Sequence, residues 1–201
     1  MKNTLFHIIM IFLSIILGFF CIELGLRMTH YQPRVTTPAY FYQNHADAYW
    51  TLSANFQSRI QTPDGEVTYT SSAQGLRTDR IFENPTDRQR IFVMGDSYTY
   101  GIGVDLKDTF VDQWQKLLDR EKQVVDVVNL GVPGYGTQQS FVRAREYAQQ
   151  LGMPNVLVYV FCNNDVVDNV AGKKVIVDGI RIDEARGNKK ILAAVAHWYY
   201  R

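Results

Sequence analysis

The sequence has only two cysteines, four histidines and almost no net charge. Cys21 falls in a hydrophobic amino-terminal segment and Cys162 at the end of an apolar run, so no disulfide between them is expected. The formal charge is +1, with lysines and arginines scattered, and gives no argument for a nucleic-acid partner. Loops that cradle phosphates are missing too. Gly101-Ile102-Gly103 is followed by Val104-Asp105-Leu106, without a third glycine, and no Gly-Lys-Ser/Thr occurs. Asp165 and Asp168 share one loop with no histidine nearby, which makes a poor ligand set for a metal. Neither cofactor nor metal is therefore expected.

What is present suits one folded domain with an appendage. The chain has 201 residues, 46% of them hydrophobic, which is not a disordered composition. Leu5 to Ile22 is apolar except for His7, Ser14 and Gly18. That run is near the lower end of the roughly 17–25 residues needed to span a bilayer. No Ala-x-Ala cleavage site follows it, and Phe19-Phe20 before Cys21 argues against lipoprotein processing. The expectation is a short tail over 1–4 and an uncleaved transmembrane signal anchor over 5–26. Lys2 on one side and Arg27 and Arg34 on the other leave its orientation unassigned by charge.

Residues 27–88 form a pre-domain region punctuated by Pro33, Pro38, Pro63 and Pro85. Pro63-Asp64-Gly65 reads as a turn, and Glu66 to Ser72 as a strand in a hairpin reaching Leu76-Arg77. The region is too aromatic for a flexible linker and is expected to pack on the domain after it. Arg77 reads as a salt-bridged or solvated charge rather than a substrate contact.

From residue 89 one pattern repeats. Ile91 to Met94 is a short apolar strand that stops in Gly95-Asp96-Ser97. Phe110, Val111, Trp114, Leu117 and Leu118 then fall at helical spacing. A second strand, Val124 to Leu130, ends in Gly131-Val132-Pro133-Gly134-Tyr135-Gly136-Thr137, and a helix over Gln138 to Leu151 follows, with Phe141, Ala144, Tyr147, Ala148 and Leu151 on one face. A third strand, Val156 to Phe161, ends in Cys162-Asn163-Asn164-Asp165. Strands alternating with helices imply a parallel sheet whose three loops gather at one edge. Taken alone, Gly134 reads better as a turn glycine after Pro133 than as a functional donor, and Asn164 can be read as a helix cap. Val175 to Ile182, with Asp178-Gly179 in the middle, reads as a hairpin with a type I′ turn. Beyond Lys189, the spacing of Ile191, Leu192, Val195 and Trp198 predicts a helix.

Gly-Asp-Ser at 95–97, Asn129 to Gly134, and Asn164-Asp165, in that order and each ending a strand, resemble the first three blocks of the SGNH, or GDSL, hydrolases. Gly75-Leu76-Arg77 is similar to a stretch preceding the first block in membrane-anchored bacterial members. The resemblance covers residues 89 to about 170. It implies a three-layer, doubly wound, flavodoxin-like α/β fold with a five-stranded parallel sheet. It also makes Ser97 the nucleophile and Gly134 and Asn164 oxyanion donors beside the Ser97 N–H. Cys162 stands where the family's third block has glycine, and is expected to be tolerated.

The family's fourth block, Asp-x-x-His, is not in this sequence. Three residues before His7, His30, His45 and His197 stand Thr4, Arg27, Tyr42 and Ala194, and none of these histidines is expected to be the base. Residues 89–201 are accordingly read as a partial SGNH domain, incomplete at its carboxyl end, in a truncated product. The function implied is a serine ester hydrolase, such as an esterase or carbohydrate O-deacetylase, acting outside the cytoplasmic membrane on a small acyl ester or acylated glycan. A carbohydrate O-acetyltransferase of the same fold, or an inactive protein with a binding or assembly role, is the alternative. No oligomeric state is assigned.

Overall fold

The structure is a computed structural model. It describes residues 2–28, 38–62, 64–84, 86–170 and 173–183. The helix expected beyond Lys189, with His197, and also His30, lie outside these residues. Contacts divide the chain into two units, residues 1–35 and 36–201.

The first unit holds one helix, α1 (Lys2–Met28). Its stretch Phe6–Gly25 is long and apolar enough to cross a membrane, a property shared by anchors and signal sequences. The Ser14 hydroxyl within it donates to the Met10 carbonyl at 2.8 Å, which satisfies the hydroxyl without solvent.

The second unit begins with two antiparallel pairs. Strands β1 (Tyr42–His45) and β2 (Tyr49–Leu52) form one, and β3 (Gln57–Thr62) and β4 (Gly65–Thr70) the other. The hairpin expected between Glu66–Ser72 and Leu76-Arg77 is therefore corrected: the partner lies upstream. Ile60 pairs with Val67 across the β3–β4 ladder, and both are buried. Residues 72–76 instead make a tight turn in which the Ser72 N–H donates to Leu76 O at 2.8 Å. The aromatic content explains the docking. Phe41, Trp50, Leu52 and Tyr69 form one buried cluster with Tyr100, Val132 and Tyr135 of the following α/β body. Phe41 meets Tyr100 edge-on at 5.3 Å and Trp50 meets Tyr135 at 5.5 Å, favourable arrangements for paired rings.

The body is a mixed α/β arrangement around a parallel sheet. Along the chain run β5 (Gln89–Gly95), α2 (Ser97–Tyr100), α3 (Phe110–Arg120), β6 (Val125–Asn129), α4 (Thr137–Leu151), β7 (Val156–Val160) and α5 (Asp165–Val170). The strand order is β6–β5–β7, all parallel, with β5 central. Successive side chains of a strand point to opposite faces. Val93 packs with Val127 and with Val111, Trp114 and Leu118 of α3. Phe92 and Met94 pack with Val128 and with Ala144, Tyr147 and Leu151 of α4. Phe110, Leu117 and Phe141, expected on the apolar faces, are about half exposed, at 44%, 51% and 49%. In α3 the stripe reaching the sheet is Val111, Trp114 and Leu118; Phe110 and Leu117 lie one helical step off it.

Thr109 caps α3 by accepting from the Asp112 N–H at 3.3 Å. Among the described residues β7 carries no neighbour on its outer side, and Val156 and Leu157 are about half exposed. The final pair is β8 (Lys174–Val177) and β9 (Ile180–Asp183). Asp178 and Gly179 between them have φ of 48° and 80°, as a type I′ turn requires.

Candidate active site

The site grows from the abrupt end of β5. Gly95 has φ +157°, and a Cβ there would lie 2.3 Å from Thr99 Oγ1 and 2.8 Å from the Val160 carbonyl. Only glycine fits, so the strand can turn at once into α2. Asp96 is fully buried and caps that turn, its Oδ1 accepting from the Tyr98 N–H at 2.9 Å. Ser97 sits half-buried between buried Asp96 and exposed Tyr98. Its Oγ donates to Asp96 Oδ2 over a long 3.4 Å. The hydroxyl is thus held loosely.

The second loop is tied to the first. Asn129 donates from Nδ2 to the Thr99 carbonyl and accepts from the Gly131 N–H, both at 2.9 Å. The Val132 N–H donates to Gly95 O at 3.2 Å. Gly131 packs so closely that a Cβ would lie 2.3 Å from the Tyr100 nitrogen. The chain then reverses at Val132-Pro133-Gly134-Tyr135, with the Tyr135 N–H returning to Val132 O at 3.1 Å. Proline second and a glycine at φ +81° third make this a type II turn. Gly134 is therefore a turn glycine, as one reading of the sequence had it. The N–H groups of Gly131, Val132, Tyr135 and Gly136 all have acceptors. The Gly134 N–H has none among the described residues, and Gly134 is partly exposed while its loop neighbours are buried. Buried backbone donors are nearly always paired, and the partial exposure of Gly134 leaves its donor to water or a ligand.

The third loop supplies Asn164. Its Nδ2 donates to Asp96 Oδ2 at 3.0 Å and to Asp168 Oδ2 at 2.8 Å. Its backbone carbonyl accepts from the Asp168 N–H at 2.8 Å, at the start of α5, but its side chain is not the cap. Asp165 organises the loop: its Oδ2 accepts from Tyr159 Oη at 2.5 Å and from the Cys162 N–H at 3.0 Å. Burial, then the bond to the Asp165 carboxylate, pushes the Tyr159 phenol up from its ordinary pKa. Cys162 is half-buried, and its N–H still joins the Asp165 bond.

The first and third loops thus meet at Asp96, which binds both Ser97 and Asn164. Gly134 stands in the second loop, which is fastened to the first on its other side. Two contributors were missed from sequence. Asp96 is buried and shared by two site residues; its place in the Gly-Asp-Ser block was the available signal. Arg77 is not solvated and, among the described residues, has no salt bridge. It is buried, donates to the Gly101 carbonyl at 3.0 Å and to that of Val104, and stacks 4.2 Å over the Tyr100 ring. Burial pulls its pKa down. It clamps the loop that follows Ser97 and touches no site residue's side chain.

No histidine bonds to Ser97 among the described residues. His45 is engaged elsewhere: Nδ1 accepts from the Ala48 N–H at 3.1 Å, and Nε2 lies 3.1 Å from Glu146 Oε2. Both ring nitrogens are occupied, so it offers no free lone pair to a serine proton.

No family model matches the chain, and no curated protein matches it. Among solved structures it is similar to AlinE4, described as an SGNH-hydrolase family esterase, and to a mutant of that esterase. Each alignment has 21% identity and a TM-score of 0.37, covering 43% of this chain. The alignment spans less than half, 46%, of those chains. At that level the likeness assigns no residue a role.

Proposed function

We propose that residues 89–170 carry the nucleophile and oxyanion half of an SGNH-type serine ester hydrolase site. The observation behind the proposal is the Gly134 N–H, which has no acceptor among the described residues and lies in a loop hydrogen-bonded to the turn that presents Ser97. In this reading Ser97 Oγ attacks the carbonyl carbon of a small acyl ester. Its proton passes to a base, and the carbonyl oxygen takes the negative charge. The Gly134 and Ser97 N–H groups and Asn164 Nδ2 donate to that oxygen, the preorganised stabilisation on which acyl transfer depends. Both Asn164 hydrogens lie on carboxylates, so Asn164 must release one of them to reach the oxyanion. Collapse expels the alcohol and leaves Ser97 acylated. Water then completes hydrolysis, or an acceptor hydroxyl completes an acetyl transfer. The apolar helix would hold this unit at a membrane, facing outside the cytoplasm toward acylated envelope glycans.

A second reading is a binding or assembly role without turnover. It is favoured by Ser97 Oγ having, among the described residues, only the Asp96 carboxylate as a hydrogen-bond partner and no imidazole alongside. A serine lacking its base is a weak nucleophile.

Washed membranes bearing the full chain, treated with a fluorophosphonate probe, separate the two readings. Labelling abolished by Ser97→Ala is the expected result and requires an activated serine. A folded chain that stays unlabelled would favour the binding role.

A further inference from the structure

The peptide joining Pro133 to Gly134 is held from its carbonyl side. Arg181 of β9 donates from Nη1 to Pro133 O at 2.7 Å, and the Tyr42 hydroxyl donates to the same oxygen at 3.2 Å. The guanidinium is itself fixed, stacked 4.8 Å over the Tyr42 ring and 4.9 Å over that of Trp50. It lies close against Gly134: a Cβ there would sit 2.6 Å from Nη1 and 3.2 Å from Cζ.

A peptide unit is planar and trans, so its C=O and N–H point in opposite directions. Anchoring the Pro133 oxygen on Arg181 and Tyr42 therefore aims the Gly134 N–H away from both. The alternative is close at hand. A type II turn converts to type I by rotating its central peptide, with little movement of the flanking residues. Here that rotation would break both carbonyl bonds and turn the oxygen, an acceptor, to the side where the N–H now points. An oxyanion would then meet a lone pair instead of a donor.

We infer that Arg181 and Tyr42 are positioning residues that hold the Pro133–Gly134 peptide in its donor-outward orientation and so keep the oxyanion site formed. This rests on the reading of Gly134 as an oxyanion donor to Ser97 chemistry. Neither residue touches the reacting atoms. Both act through the shared peptide, and the charge on Arg181 also polarises it, strengthening the N–H as a donor. Arg181 and Tyr42 come from opposite ends of the second unit, outside all three motif blocks, so no motif points to them.

The test uses the full chain in detergent micelles and two readouts: the rate of Ser97 phosphonylation by a fluorophosphonate, and the amide ¹H–¹⁵N resonance of Gly134 with and without phenylboronic acid. Boronate adducts of serine place an anionic oxygen where the oxyanion forms. In the unchanged protein, adduct formation is expected to shift the Gly134 amide, and Ser97→Ala to abolish that shift. Arg181→Met keeps much of the stacking volume but removes the donor; Tyr42→Phe removes the second donor and leaves the ring. Either substitution should slow phosphonylation, and the two together should do so by about 10–100-fold, approaching the loss of one oxyanion donor. The Gly134 resonance should move in the free protein, and Arg181→Lys should recover part of the rate. An unlabelled parent protein whose Gly134 amide ignores the boronate would sink the oxyanion reading and this inference with it. A labelled parent with a responsive Gly134 amide, alongside variants that react at the parental rate with that amide unmoved, would overturn the inference alone.

Discussion

Asn164 reaches from the third loop to Asp96, placing its Nδ2 3.0 Å from the Oδ2 of the residue immediately before Ser97. One buried carboxylate therefore receives the Tyr98 N–H, the Ser97 hydroxyl and the Asn164 amide. The loops after β5 and β7 meet through it.

Replacing Asp96 tests that junction. Asp96→Ala leaves the Tyr98 N–H and Asn164 without their acceptor, at a cost of about 1–3 kcal/mol to folding. Asp96→Asn keeps the shape but sets an amide against the amide of Asn164. Denaturant unfolding should rank the parent above Asp96→Asn and Asp96→Ala, and both variants should lose Ser97 labelling. Parental stability in Asp96→Ala would show that the carboxylate is not the junction.

Gly131 tests the fastening of the first two loops. An added Cβ would lie 2.3 Å from the Tyr100 nitrogen and 2.7 Å from the Thr99 carbonyl carbon, backbone against backbone, so the loops must separate. Gly131→Ala is expected to abolish Ser97 labelling and to lower the thermal midpoint. Gly103 is the comparison: its φ is +87°, but nothing lies within 4 Å of its Cβ position. Gly103→Ala should cost only the strain of a left-handed residue, about 1–2 kcal/mol, and should still be labelled.

Alkaline pH tests the aromatic packing between the antiparallel pairs and the body. Burial pushes the Tyr135 phenol up to about 12. The folded state thus holds the phenolic proton more tightly than the unfolded chain, whose tyrosine titrates near ~10. The corresponding stability is complete below pH ~10 and is lost as pH rises through the folded value. Tyr42 and Tyr100 are pushed in the same direction by burial. The denaturant midpoint should stay level to about pH 10 and then fall. Tyr135→Phe, lacking the bond from Tyr135 Oη to the Trp50 carbonyl, should start lower and fall less steeply. An equal slope in parent and variant would remove Tyr135 from this account.

The central strands were legible because Ile91–Met94 is a continuous apolar run, as a strand buried on both faces requires, and Val125–Val128 is β-branched and apolar apart from Asp126, which pairs with Arg88. The β8–β9 turn was legible because Asp178-Gly179 tolerates two positive φ angles. Strand β3 was not, since Gln57–Thr62 is polar but for Ile60 and pairs at the surface. Nor was the place of Arg77. A buried arginine needs carbonyls and ring faces from distant segments, and local pattern cannot announce Gly101, Val104, Tyr69 and Tyr100 converging on it. In the site, Ser97, Gly134 and Asn164 could be singled out from motif order. Their couplings through Asp96, Asn129 and Arg181 depend on side-chain reach across loops, which spacing does not encode.

The clamp on Pro133 also sets an order of events during synthesis. Tyr42 precedes its target by 91 residues and Arg181 follows it by 48. A chain leaving the ribosome amino end first exposes Ser97 and the Pro133 turn well before Arg181 emerges, and contacts this remote in sequence form late. Until then the turn has at most Tyr42 to hold its carbonyl. If Gly134 serves as an oxyanion donor, the nascent chain would present Ser97 before that peptide is secured, and the arrangement would be completed only when the β8–β9 pair has docked.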